Sequence, residues 1–183
     1  MSELVVLLRG INVGQAKQVP MADLRTLLED AGYGDVRTLL RSGNVVLTAG
    51  KDAPATAAAK VAADVSERVE AHFGFPVDVV VRTGAQLRKV AAADPFDGAA
   101  DDGARRHVAF LSGSPDRAAL KRLLELDAAP DRLARGAPAD LHLWTPDGMA
   151  HSVLAKELGR AKLGVVVTVR NWNTVQKLLA MTG

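Results

Sequence analysis

The chain contains no cysteine. Disulfides, thiolate metal sites, iron–sulfur clusters and a cysteine nucleophile are therefore excluded. Aromatic residues make up only 4% of it: Tyr33, Trp144, Trp172 and four phenylalanines. Alanine, valine and leucine must fill the interior, and the strands lack the aromatic ladder on which an RNA-recognition motif stacks bases. No apolar run approaches the ~20 residues needed to span a bilayer. The apolar stretch behind Glu3 is too short, and its flank too acidic, for a signal peptide, so we expect a cytoplasmic protein. There is no Walker sequence, and the spacing of Gly10 and Gly14 is not that of a dinucleotide fingerprint. His72, His107, His142 and His151 are scattered, with no pair at helical metal-ligand spacing. Ser42, Ser112, Ser114 and Ser152 have no nucleophile elbow around them. Asp94, Asp97, Asp101 and Asp102 match no calcium loop. We expect neither a metal nor a cofactor.

What remains is 48% hydrophobic and 24% charged residues, enough for a sizeable core under an ordinary surface. The net charge of +2 is unevenly spread. Residues 105–183 carry twelve basic and seven acidic side chains, against six and nine in residues 51–104. A basic C-terminal half suits a polyanionic partner, or is simply a solvated surface.

Periodicity divides the chain into two α+β halves. Residues 3–9 read as a strand. A helix follows from Pro20, with Met21, Leu24, Leu27, Leu28 and Ala31 at helical spacing and Gly32 and Gly34 closing it. Strands at 36–40 and 45–48 flank a Ser42-Gly43-Asn44 turn. A long helix from Pro54 to His72 and a strand at 77–82 complete a β-α-β-β-α-β order, the ferredoxin-like arrangement. The second half echoes it: a strand at 106–111, a helix capped by Ser114-Pro115, a strand pair at 131–134 and 141–144 around a turn at 136–138, a helix at 149–158, a strand at 165–169 and an added helix at 174–181. We expect two tandem ferredoxin-like domains, 1–93 with a trailing helix at 85–93 and 105–183 with an extra C-terminal helix. Residues 94–104, acidic and glycine-rich, read as an exposed linker.

In such a fold the loop after the first strand and the turn between the second and third lie at one end of the sheet. Arg9, Gly10, Asn12, Gly14 and Lys17 then face Arg41, Ser42 and Asn44, and two glycine bends with three cations form an anion-friendly rim. The plain alternative is that Gly10, Gly14 and Gly43 supply positive φ angles while Asn12 and Asn44 bond their own turns. A second constellation is Arg170, Asn171, Trp172 and Asn173. Asn171 or Asn173 can cap the last helix, and Trp172 either stacks on a ligand ring or packs the loop against the core.

Three motifs carry a resemblance. Leu8-Arg9-Gly10-Ile11-Asn12-Val13-Gly14 followed by Val19-Pro20-Met21, then Ser42-Gly43-Asn44-Val45-Val46, then Arg170-Asn171-Trp172-Asn173-Thr174-Val175, resemble in order the motifs of a bacterial family, domain of unknown function 1697. The resemblance spans the chain and implies a small cytoplasmic protein of two α+β domains with no assigned activity. Two positions depart from the family pattern: Gln15 stands where a second glycine is common, and Leu39, Leu40 and Arg41 replace an aromatic strand end.

Three functions compete. The first is binding of a phosphate-bearing small molecule, nucleotide or nucleic acid at the Arg9–Gly14 loop. The second is a small-metabolite enzyme with its site in the cleft between domains, for which no general acid or base stands out. The third is a homodimeric interaction protein built through an open sheet edge.

Overall fold

The computed structural model describes residues 3–49, 57–96, 103–137 and 139–183. Contacts divide the chain into two compact units, one running to Leu87 and including Leu178–Gly183, the other Arg88–Lys177. Residues 88–93 thus fall in the second unit and 178–183 in the first, where the sequence suggested the reverse.

The first unit is built on β1 (Glu3–Leu8), whose residues Leu4 to Leu8 are all buried. It pairs antiparallel with β3 (Asn44–Ala49), Val5 opposite Val46, and with β4 (Val79–Thr83), Val6 opposite Val81. With β2 (Tyr33–Leu39) outside β3, the order is β2-β3-β1-β4. Leu4, Val6 and Leu8 share one face and pack with Leu24 and Leu28 of α1 (Met21–Asp30) and Val61, Val65 and Val69 of α2 (Ala58–Phe73). Burying each such side chain contributes about 1.5–3 kcal/mol. Val5, Leu7, Val46 and Val80 on the opposite face are buried as well. A strand buried on both faces reads as one continuous apolar run, which is why β1 is so plain in the sequence. Gly32 follows α1, but Gly34 belongs to β2, where a Cβ would lie 2.7 Å from Thr48 Oγ1. The expected α2 start at Pro54 lies outside the described residues. β4 leads into α3 (Gly84–Ala92) through a reciprocal cap: Thr83 Oγ1 accepts from the Gln86 amide, and Gln86 Oε1 accepts from the Thr83 amide.

The second unit has the same element order and the same sheet order. β5 (Arg106–Leu111) pairs antiparallel with β7 (Leu141–Trp144) and β8 (Val167–Asn171), and β6 (Arg132–Arg135) lies outside β7, giving β6-β7-β5-β8. Ala109, Leu111, Leu141 and Leu143 pack on Leu120 and Leu123 of α4 (Arg117–Leu124) and Leu158 of α5 (Val153–Arg160). The chain closes with α6 (Trp172–Met181).

Several boundaries move, and four departures have a nameable reason. Asp116, not Ser114, caps α4: its carboxylate accepts from Ala119 N at 2.7 Å, while its own amide donates to Leu163 O and so is not free for the preceding turn. α5 starts at Val153 rather than 149, because Ser152 Oγ accepts from Ala155 N and donates to Asp131 Oδ2. β8 starts at Val167, after Ser112 has exchanged bonds with both backbone groups of Val166. The expected exposed linker begins buried: Phe96 is 4% exposed, and the Asp94 carboxylate lies 2.6 Å from Arg106 NH1. Asp97, Asp101, Asp102 and the turn residue Pro138 lie outside the described residues.

Candidate functional site

At one end of the first sheet the chain leaves β1 and is pinned at once on two sides. Leu8 N donates to Gly43 O at 2.8 Å, and Arg9 N to Asp78 O at 2.9 Å. The loop that follows curls through left-handed backbone at Gly10, Asn12, Gly14 and Lys17 (φ +67°, +54°, +58° and +46°). Asn12 tolerates that conformation and exploits it. Its amide nitrogen donates to Val19 O at 2.9 Å and to Arg41 O at 2.7 Å, while its carbonyl accepts from Val19 N at 2.8 Å. One side chain therefore sews the loop to its own far end and to the β2–β3 turn. Gly43 completes the fit: a Cβ there would lie 2.8 Å from both Ile11 Cδ1 and Leu8 Cβ. The loop and turn named from the sequence are neighbours.

The side chains divide into holders and exposed cations. Asn44 is fully buried and donates to Leu39 O (2.8 Å) and Ser42 Oγ (3.0 Å), so Asn12, Ser42 and Asn44 hold the bends. Arg9, Lys17 and Arg41 are exposed. Arg9 faces Asp78 at 3.3 Å, Lys17 Nζ donates to Pro76 O at 2.7 Å, and Arg41 donates to Gln18 Oε1 at 3.4 Å. Three cations and one paired carboxylate leave this rim positive.

The 170–173 constellation belongs to the second unit and serves its interior. Arg170 is 8% exposed and donates to Thr168 Oγ1 at 2.8 Å and Val169 O at 2.9 Å. Burial pushes its pKa down to about 10. Asn171 caps α6, its Oδ1 accepting from the amide and the hydroxyl of Thr174. Trp172 is buried with the Arg106 guanidinium 4.7 Å from its ring centroid, so it packs rather than presenting a free stacking face. Asn173 rests against Gly103, where no Cβ would fit.

One cluster was not singled out from the sequence. Asp94 holds Arg106 and faces His142, with Nδ1 to Oδ1 at 3.6 Å. His142 is 1% exposed, and burial holds its pKa below the usual histidine range against the opposing pull of Asp94 and Asp140. Its Nε2 and the Nε of Arg106 are buried without a hydrogen-bond partner among the described residues. A neutral imidazole sealed from solvent is a packing element rather than an accessible base. The strand register carries the signal: Val108 sits opposite His142 and Arg106 opposite Trp144, so Arg106 and His142 share a face. Among the described residues no three acidic, histidine or cysteine side chains are placed to hold a metal ion, and no helix is long and apolar enough to cross a membrane.

Residues 1–139 match the profile of a family described as "Protein of unknown function (DUF1697)". No curated protein matches the chain. Among solved structures, the conserved bacterial protein SP0830 from Streptococcus pneumoniae is similar over 100% of this chain and 99% of its own, with 22% sequence identity and a TM-score of 0.79. At that identity the likeness extends to the fold.

Proposed function

The chain belongs to the family described as protein of unknown function, DUF1697, and we propose that it binds a phosphate-bearing ligand at the rim formed by Arg9, Lys17 and Arg41. The observation that carries this reading is the Asn12 side chain. By bonding Arg41 O and both backbone groups of Val19, it sets the loop and the turn side by side with their cations outward. We further read each unit as ferredoxin-like, on the support of its element order and of a sheet order of second, third, first and fourth strand. We read the protein as cytoplasmic from the absence of cysteine.

Magnitudes favour a ligand of several charges. Millimolar binding corresponds to about 4 kcal/mol, whereas one exposed ion pair contributes about 0.2–1 kcal/mol. A single phosphate on this rim therefore binds weakly, and a nucleoside triphosphate or a short nucleic acid, which engages all three cations, binds more strongly. Titration of the full chain with adenosine triphosphate and with a short single-stranded RNA, at about 50 and 200 mM salt, tests this. Affinity is expected to fall with salt and to drop in an Arg9→Ala/Arg41→Ala variant. Binding that ignores both salt and the variant overturns the reading.

A further inference from the structure

The end of the sheet that carries the Arg9 rim has a counterpart in the second unit. There the connection from β5 to α4 is residues 112–116, and Gly136 and Ala139 lie between β6 and β7. A pocket of about 270 Å³ opens between them, with Ser114, Pro115, Arg117 and Leu120 on one side and Arg135 and Leu141 on the other. Leu120 and Leu141 are buried and make the floor apolar. Among the described residues none that lines the pocket is acidic. The two carboxylates nearest in sequence are engaged elsewhere: Asp116 accepts from Ala119 N at 2.7 Å, and Asp140 from Leu111 N at 2.9 Å. The side chains of Arg117, Arg135 and Ser114 have no hydrogen-bond or ion-pair partner among the described residues.

We propose that this pocket binds a small phosphate monoester. Two unpaired guanidiniums from different elements present planar donor forks, which match phosphate oxygens better than point charges do. Their combined charge balances the dianion that a phosphate monoester carries near neutral pH. The Ser114 hydroxyl supplies a further donor. The volume lies just under the ~300–1,000 Å³ of sites for drug-sized ligands. It therefore admits a phosphate with a short carbon body lying on Leu120 and Leu141, and not a polynucleotide. The assignment uses none of the Arg9 rim residues and stands or falls separately from that rim.

Amide correlation NMR of the full chain, titrated with inorganic phosphate and with glycerol phosphate, tests it. The ester is expected to shift the amides of Ser114, Arg117 and Gly136 and to bind more tightly than inorganic phosphate, because only the ester covers the apolar floor. An Arg117→Ala/Arg135→Ala variant is expected to weaken the ester about tenfold, equivalent to about 1.4 kcal/mol. Arg9→Ala/Arg41→Ala is expected to leave it unchanged. Both pocket arginines are exposed, and a thermal melt checks that the variant folds. An Arg117→Lys/Arg135→Lys variant, which keeps the charge and loses the forks, is expected to fall between wild type and the alanine variant. The proposal is overturned if these amides stay still up to about ten times a millimolar dissociation constant, or if the shifts persist in the alanine variant. It is also overturned if the shifts vanish in the Arg9 variant, or if a short single-stranded oligonucleotide displaces the ester.

Discussion

The two units share an element order and a sheet order and differ at the same end of their sheets. In the first, residues 9–20 separate β1 from α1; in the second, only residues 112–116 separate β5 from α4. The longer loop has enough chain to fold back over the sheet end. Ile11, 3% exposed, fills the space beneath Gly43, and Asn12 ties the loop to the turn. What is left outside is a surface rim whose cations each have a protein partner. The shorter connection is pinned by the bond from Asp116 N to Leu163 O and enters α4 directly. Among the described residues no side chain fills the corresponding end, and a concave pocket with two arginines whose side chains are unpaired remains. Connection length, not the sheet, decides whether this end of the fold is a filled surface or a cavity.

The most severe way to break the contrast is Asn12→Ala. It orphans Val19 N and Val19 O at a partly buried site, each costing about 1 kcal/mol or more, and releases the exposed Arg41 O to solvent. It also leaves alanine in left-handed backbone at φ +54°. The expected loss is about 3 kcal/mol in urea unfolding, with the amide of Asn12, bonded to Lys17 O, exchanging faster with solvent. A loss within about 0.5 kcal/mol, the range of an unremarkable surface substitution, would mean that the loop closes without its stitch.

Next in size is a pH effect that separates the two turns. The first unit's turn rests on Ile11, whereas Gly136 in the second unit's turn lies so close to the His142 ring that a Cβ could not be added. Burial lowers the pKa of His142 and of His107 in the folded chain. The unfolded chain therefore binds more protons once the pH falls below about 6.5. Stability contributed by the neutral rings is complete above that value and declines towards their lowered folded values. The urea midpoint is expected to drop between about pH 7.5 and pH 5.5, above the carboxylate range. His142→Phe should shrink the drop and leave the part owed to His107. An unchanged drop would remove His142 from the account.

Much of this was legible in advance. β5 and β7 fall at residues 106–111 and 141–144, as their apolar pattern indicates, and β1 stops one residue short of the expected end. The misreadings came where tertiary contacts chose between equal local signals. Ser114-Pro115 and Asp116 are both good helix starts, and the bond from Asp116 N to Leu163 O selected the second. Asp94 sits among acidic and glycine residues that look solvated; only the pairing of β5 with β7, which sets Arg106 and His142 on one face, reveals a buried site for it. The shared end of the sheet is enough to bring Arg9 and Arg41 together, because glycine–asparagine bends mark both of its loops. In the second half Arg117 and Arg135 are distant in sequence, and no glycine–asparagine loop marks the spot.

The smallest expected effect tests whether the first unit's rim is a surface at all. Arg9 and Asp78 form an ion pair at 3.3 Å with side chains 49% and 54% exposed. Such pairs contribute about 0.2–1 kcal/mol and are screened by salt. Arg9→Ala should therefore shift unfolding by no more than about 1 kcal/mol, and less at high salt. The same should hold for Asp78→Ala, which frees the guanidinium and is expected to strengthen triphosphate binding while Arg9→Ala weakens it. Opposite effects on binding with equal, small effects on stability would separate a ligand-facing cation from a structural one. If instead both variants lose stability well beyond that range, Arg9 and Asp78 are a clamp across the sheet end, and the filled rim of the first unit has no spare charge to offer a ligand.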